Sequence, residues 1–313
     1  VGELFGRAAR VVIDQLEITG LDVQFRVQKT LKPHEPDTMV LSIWNLNEQH
    51  RGELQRHVTP TNPAGTKRTA AQKAAATAAR LKAPSVQVRL EAGYKLRDPS
   101  AMAELDAIGV TGGSLPLIFG GDVREIASSR QGPDWVTVLT GGDGDRSQTL
   151  RVNKAFGPGT PLKFAVEQVA TELGLGLGQL LPELANAELF DGGQQFASGV
   201  VLSGNGFKVL TRLLATAGYT WTVQDGQILV VKKGASFGSA VLLTPDTGLV
   251  GSPVPANDGR ITARCLLQPD LVPGRQVEFR AQSVQGHYLV ETATYVGETA
   301  GADWFVEIEV RPL

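Results

Sequence analysis

The chain has 313 residues, 42% of them hydrophobic and 20% charged, with 36 glycines and a formal charge of -2. It is long enough for two or three cores and too apolar for a disordered chain, and its near-neutrality excludes any global attraction to nucleic acid or anionic membranes. Cys265 is the only cysteine, so no intrachain disulfide or thiolate metal cluster can form, and synthesis in a cytoplasm is expected.

No run approaches the roughly 18 apolar residues of a membrane span, and the N-terminus lacks a basic stretch followed by an apolar one. Neither membrane insertion nor ordinary secretion is expected. Val11 to Ile18, Leu21 to Leu31 and Thr38 to Leu46 read as three strands. Val23, Phe25 and Val27 on one, and Met39, Leu41 and Ile43 on another, alternate as half-buried faces. Asn47 is placed to cap a short helix that runs to about His57.

Between Leu54 and Leu90 there are seven basic residues and no aspartate or glutamate. The alanine-rich stretch inside it favours helix but has almost no large apolar side chain with which to dock, so residues 59–84 read as a solvated, basic insertion between strands. Its functional alternative is an arm that contacts nucleic acid or an acidic neighbour.

Strands follow at Ser85 to Leu96, Leu115 to Ile126, Asp134 to Thr140 and Ser147 to Val152. Asp143 and Asp145 invite a calcium reading, but Arg146, Thr149, Leu150 and Lys154 stand where ligands or the turn glycine belong; turn geometry accounts for the stretch. Thr160 is expected to cap a helix with Pro161 in its first turn and an apolar stripe of Leu162, Val166, Val169 and Leu173. The glycines from Gly174 to Gly178 follow a helix instead of preceding one, which argues against a phosphate loop. A strand at Ala197 to Leu202, a helix capped by Asn205, and a hairpin turning on Asp225-Gly226 complete a compact α+β segment, with Ala235 to Ser239 as the link onward.

Arg260 to Leu267 and Arg275 to Arg280 read as one hairpin with a wide loop, and His287 to Val296 with Trp304 to Val310 as a second. Four strands at this spacing suit a small closed module.

Candidate chemistry is sparse. His34, His50, His57 and His287 include no pair with metal-binding helical spacing, and Cys265 has no evident histidine partner. There is no nucleophile elbow, no P-loop and no marked carboxylate pair. No catalytic, cofactor-binding or metal residue is therefore nominated, and no enzyme is expected.

The C-terminal stretch nonetheless resembles the hub proteins of phage-tail baseplates. The similarity is carried by Thr247-Gly248-Leu249-Val250-Gly251-Ser252-Pro253, by Leu266-Leu267-Gln268-Pro269 with Pro273-Gly274, by Gly286-His287-Tyr288, by Thr294 to Glu298, and by Asp303-Trp304. Further back, Phe25-x-Val27-x-Lys29, Trp44-Asn45-Leu46, Phe119 to Val123, and Trp135 leading to Gly141 to Asp145 are similar to family features. The likeness reaches to about Val11 and is absent from Thr59 to Pro84.

The resemblance implies a mainly β fold. Two small barrels of the tail-tube type, residues 1–157 and 236–313, would be joined by a helix-hairpin module at 158–235, and the Gly-Asp-Gly turn would link two strands of the first barrel. It also implies a structural subunit of a phage or phage-derived tail. Three copies would form a ring adapting a sixfold tube to a threefold spike, with the tube protein, the spike and other baseplate proteins as neighbours, in the virion tail. The alternatives are a tail-associated peptidoglycan hydrolase and a nucleic-acid binder using the basic insertion.

Overall fold

The computed structural model describes residues 6–32, 35–57, 69, 71, 85–94, 115–177, 195–256 and 258–313. The basic insertion at 59–84 lies almost wholly outside these residues, as do His34, Gly178 and the side chains of His57 and Asp145.

The fold is mainly β. The N-terminal strands are β1 (Arg7–Ile13), β2 (Leu16–Ile18), β3 (Val23–Thr30), β4 (Thr38–Trp44), β5 (Gln87–Tyr94), β6 (Leu117–Gln131) and β7 (Asp134–Gly142), with helix α1 (Glu48–His57) after β4. The C-terminal strands are β13 (Phe237–Leu243), β14 (Leu249–Pro255), β15 (Ile261–Leu266), β16 (Arg275–Arg280), β17 (Gln285–Glu298) and β18 (Trp304–Pro312). All thirteen belong to one sheet, whose main path runs β14-β15-β18-β17-β3-β4-β7-β6-β5-β1-β2, with β16 and then β13 branching from β17. Among the described residues this path is open, with β14 and β2 at its ends.

The two halves join directly. Strand β17 is long enough to pair with β16 and β18, and its second half also pairs antiparallel with β3, from Thr292 opposite Thr30 to Glu298 opposite Gln24. Residues of both halves contribute to one apolar core that includes Phe25, Leu41, Phe119, Leu139, Phe279, Tyr295 and Trp304. Besides the α+β segment that lies between them in the chain, the sheet itself runs from one half to the other.

Between β7 and β13 lie α2 (Asp145–Thr149), β8 (Arg151–Phe156), α3 (Leu162–Glu172), β9 (Gly176–Leu177), β10 (Val200–Asn205), α4 (Gly206–Thr216), β11 (Tyr219–Gln224) and β12 (Gln227–Lys232). Here β8 pairs with β10, and β12 lies between β11 and β9. The inward faces of α3 and α4 meet Trp221, Val223, Ile228 and Val230 in a second core. Phe207 stacks edge-on to Trp221 at 4.9 Å, and Trp221 Nε1 donates to Thr211 Oγ1 at 3.1 Å.

Local chemistry explains both the agreements and the misses. Asn205 caps α4 by accepting from Lys208 N, and Asn47 Oδ1 accepts from His50 N at the start of α1. Asp225 and Gly226 turn β11 into β12 with φ of 53° and 79°, the left-handed pair that a tight hairpin of this kind needs. Val11 to Ile18 is not one strand, because Asp14 at φ 49° reverses the chain between β1 and β2. Residues 145–149 form a helical turn instead of a strand, so the Gly-Asp-Gly turn leads from β7 into α2. Thr160 does not cap α3; Pro161 holds that position, and Thr160 Oγ1 donates to Gly157 O. Finally, β15 and β16 do not pair as a hairpin: β15 lies between β14 and β18, and β16 between β13 and β17.

Candidate functional site: a buried ionic joint

Strand β3 carries Val23, Phe25, Val27 and Lys29 on one face, and all four are buried. A lysine at the fourth position of an apolar alternation needs a partner, since an unpaired buried ammonium is strongly disfavoured. The partner comes from the β11–β12 turn. Lys29 Nζ donates to both carboxylate oxygens of Asp225, at 3.1 and 2.9 Å. The Lys29 side chain is 2% exposed and that of Asp225 13%, so water screens the pair little. Asp225 Oδ1 also accepts from Gly120 N on β6, at 2.8 Å.

Two more carboxylates adjoin this pair. Asp37, just before β4, is fully buried; its Oδ1 accepts from Thr30 N at 3.0 Å, and among the described residues its Oδ2 has no hydrogen-bond partner. Asp143, at the end of β7, accepts from Gly226 N on both oxygens, at 3.0 and 3.1 Å, while its own N–H donates to Asp37 O at 3.0 Å. Thr222 Oγ1 donates to Thr30 O at 2.8 Å, adding a fourth tie between hairpin and sheet.

Apolar packing surrounds these bonds. Ile228 and Val230 of β12 point into the second core, whereas Leu229 and Val231 pack with Leu31, Phe237 and Leu289. With both faces buried, β12 reads as the near-continuous apolar run Ile-Leu-Val-Val. The hairpin is therefore clamped between the helices and the sheet, with its charged turn at one end.

Burial shapes the charges. It pushes the Asp143 carboxyl up to about 7, and holds that of Asp37 well above the usual carboxylate range. Burial also pulls the Lys29 ammonium down, but the carboxylates of Asp225, Asp37 and Asp143 outweigh it and leave the group raised. A cleft of about 460 Å³ opens beside the joint, lined by Gly120, Gly121, Asp143, Arg146, Asp225 and Gly226 among others. Arg146 pairs with Asp122 at its rim, at 3.4 Å.

The other sequence candidates are dispersed. Cys265 is buried on β15, and burial pushes its thiol up to about 12, far from a reactive thiolate. His50 faces Asn47 at 3.1 Å, and His287 is exposed on β17. Among the described residues no three histidine, cysteine or acidic side chains are grouped to hold a metal, and no helix is long and apolar enough to cross a membrane. In the sequence Asp143 reads as a turn residue after its calcium reading fails, Asp225 as a hairpin former, and Asp37 carries no signal; the inward lysine of β3 is the one clue to the joint.

The remaining surface has apolar positions of its own. Strand β14, an end of the sheet, exposes Val250 and Val254, while Pro253 and Pro255 remove two ladder donors from it. Trp135 of β7 is 38% exposed beneath the guanidinium of Arg51, 4.3 Å from its ring centre.

A family described as "Baseplate hub gp41" matches residues 8–310. Among solved structures, the chain is similar to a 43 kDa tail protein of prophage MuSo2 from Shewanella oneidensis, at 8% identity and a TM-score of 0.59, covering 98% of this chain and 97% of that one. A tail protein from Neisseria meningitidis aligns at 9% identity and 0.57, covering 98% and 96%. An Escherichia coli component of the type VI secretion system, described as structurally similar to the T4 tail proteins gp27 and gp5, aligns at 10% and 0.55, covering 97% and 76%. The comparison with curated proteins returned no match.

Proposed function

Because the chain belongs to the Baseplate hub gp41 family, and so is a structural component of a phage tail, we propose that it forms the central hub of the baseplate as a homotrimeric ring. In this reading each copy contributes two tube-like units, built on β1–β7 and β13–β18, with the helices and hairpin of residues 158–235 between them. Six similar faces then meet a sixfold tail tube, and the threefold axis carries the central spike. The neighbours are the tube protein, the spike and other baseplate proteins, in the tail of the virion; the chain is made in the host cytoplasm and catalyses no reaction.

The observation that carries this reading is the family match across 8–310, nearly the whole chain. The continuous sheet supports it, since direct β3–β17 pairing gives two units one fixed orientation. A ring that presents repeated faces needs such rigidity within each copy. The prolines and bulge of β14 discourage simple strand addition at that edge, so contact there would rest on Val250 and Val254 side chains.

Light scattering of the purified chain over a concentration series tests the assembly. A species near three times 33.3 kDa is expected. A monomer at every concentration, both alone and with the tube protein, would remove the homotrimeric ring.

A further inference from the structure

The joint holds three buried or nearly buried carboxylates and a single ammonium, and that ammonium is committed to Asp225. One cation cannot neutralise three anions, so the arrangement of Asp37, Asp143 and Asp225 around Lys29 requires bound protons. We propose that the joint is a proton-operated latch: protons on Asp37 and Asp143 keep the β11–β12 turn clamped to the sheet, and their loss to solvent releases it.

Asp143 occupies the critical place. It holds the turn through Gly226 N, directly beside the Asp225 carboxylate that holds Lys29. Ionised, it repels Asp225 across that turn, and Asp37 adds a third negative charge on the sheet side. Arg124 lies against Gly142 beside the cluster, but the main influences on Asp143 and Asp37 include no cation other than Lys29. Tyr295 on β17 donates its hydroxyl to Leu271 O at 3.1 Å, and burial holds the phenol neutral far above its usual range. Asp270 beyond it is a further anion. At the cleft, Arg146 is matched by Asp122, and Arg89 lies 3.4 Å from Glu91. The cleft, lined by Asp143 and Asp225, supplies the route by which protons exchange with water.

The sign follows from linkage. A carboxyl raised in the folded state contributes stability that is fully present below its ordinary value, about 4, and is lost as pH climbs from there to its folded value, about 7 for Asp143. Lys29, raised from an already high value, keeps its charge throughout this range. The latch is therefore tightest in acid and loosens as pH rises from the ordinary carboxylate range toward about 7, and the proposal holds for the chain whatever its assembly state.

Hydrogen exchange of the intact chain, read by mass spectrometry from about pH 5 to about pH 9 and corrected for the intrinsic rate, tests it. Protection of residues 219–232 is expected to fall at least roughly tenfold per pH unit from about pH 5 to about pH 7 and less steeply above, while that of residues 292–298 holds. Asp143→Asn keeps an acceptor for Gly226 N and should flatten the fall, and Asp37→Asn should reduce it. Infrared spectra of the unaltered protein at neutral pH should carry a buried carboxylic-acid band, so the test survives a variant that fails to fold. A parallel pH response in both segments, or no such band, overturns the latch.

Discussion

The β3–β17 seam and the hairpin joint both tie the N-terminal strands to later parts of the chain, and they do so by opposite chemistry. The seam is a backbone ladder with aromatic packing. Gly297 stands opposite Phe25 on one side and Trp304 on the other, and the two rings meet edge-on at 5.6 Å across the gap that the glycine leaves. The joint instead rests on a buried ion pair and on carboxylates accepting backbone N–H groups. Apolar seams are insensitive to pH and salt, whereas a buried ionic cluster depends on every partner being present. The molecule is fixed at the seam and conditional at the joint.

The largest expected break is at the joint. Lys29→Ala removes the only ammonium and leaves Asp225 buried without it, which should cost about 3–5 kcal/mol of unfolding free energy. Chemical denaturation checks this. The double variant Lys29→Met with Asp225→Asn should recover much of the loss, since no uncompensated charge remains. A double variant as unstable as Lys29→Ala would mean that packing around the lysine stem, and not its charge, is what the joint requires.

At the seam a single methyl group is enough. A Cβ on Gly297 would run into the Phe25 ring, so Gly297→Ala must displace an aromatic that is itself fully buried. Overpacking of this kind costs about 1–3 kcal/mol. Unlike the joint variants, its cost should be the same at acid and alkaline pH, and urea melts at both will distinguish the two regions.

This contrast also explains how much the sequence discloses. Period-two alternation places most strands, because β3, β4 and β18 each bury one face, and Asp225-Gly226 marks its hairpin. Those signals are local. Which strands pair is not local: nothing in Arg260 to Arg280 reveals that β15 and β16 separate to different neighbours, or that β17 reaches across to β3. The joint is harder still, since its four charged residues come from positions 29, 37, 143 and 225. Two of them read as ordinary turn formers. Only Lys29, on the inward face after Val23, Phe25 and Val27, breaks its local pattern, and that break is the kind that marks a site. Gly297 and Trp304 stood within the motifs that suggested the family, and the structure gives them a packing role.

The smallest effect is expected at Thr222, which contributes one buried hydrogen bond and no charge. Its hydroxyl donates to Thr30 O at 2.8 Å, on the very residue that opens the β3–β17 ladder opposite Thr292. Thr222→Val keeps the shape and removes the donor, so the loss should be about 1 kcal/mol, near the net value of a typical hydrogen bond. Thr30 O would still lie beside the β17 ladder, which limits the penalty for the acceptor left behind. Faster hydrogen exchange confined to residues 219–232 would show that the hairpin answers to its own ties. If exchange rose equally in residues 292–298, joint and seam would form one cooperative unit, and their difference in chemistry would not translate into a difference in opening.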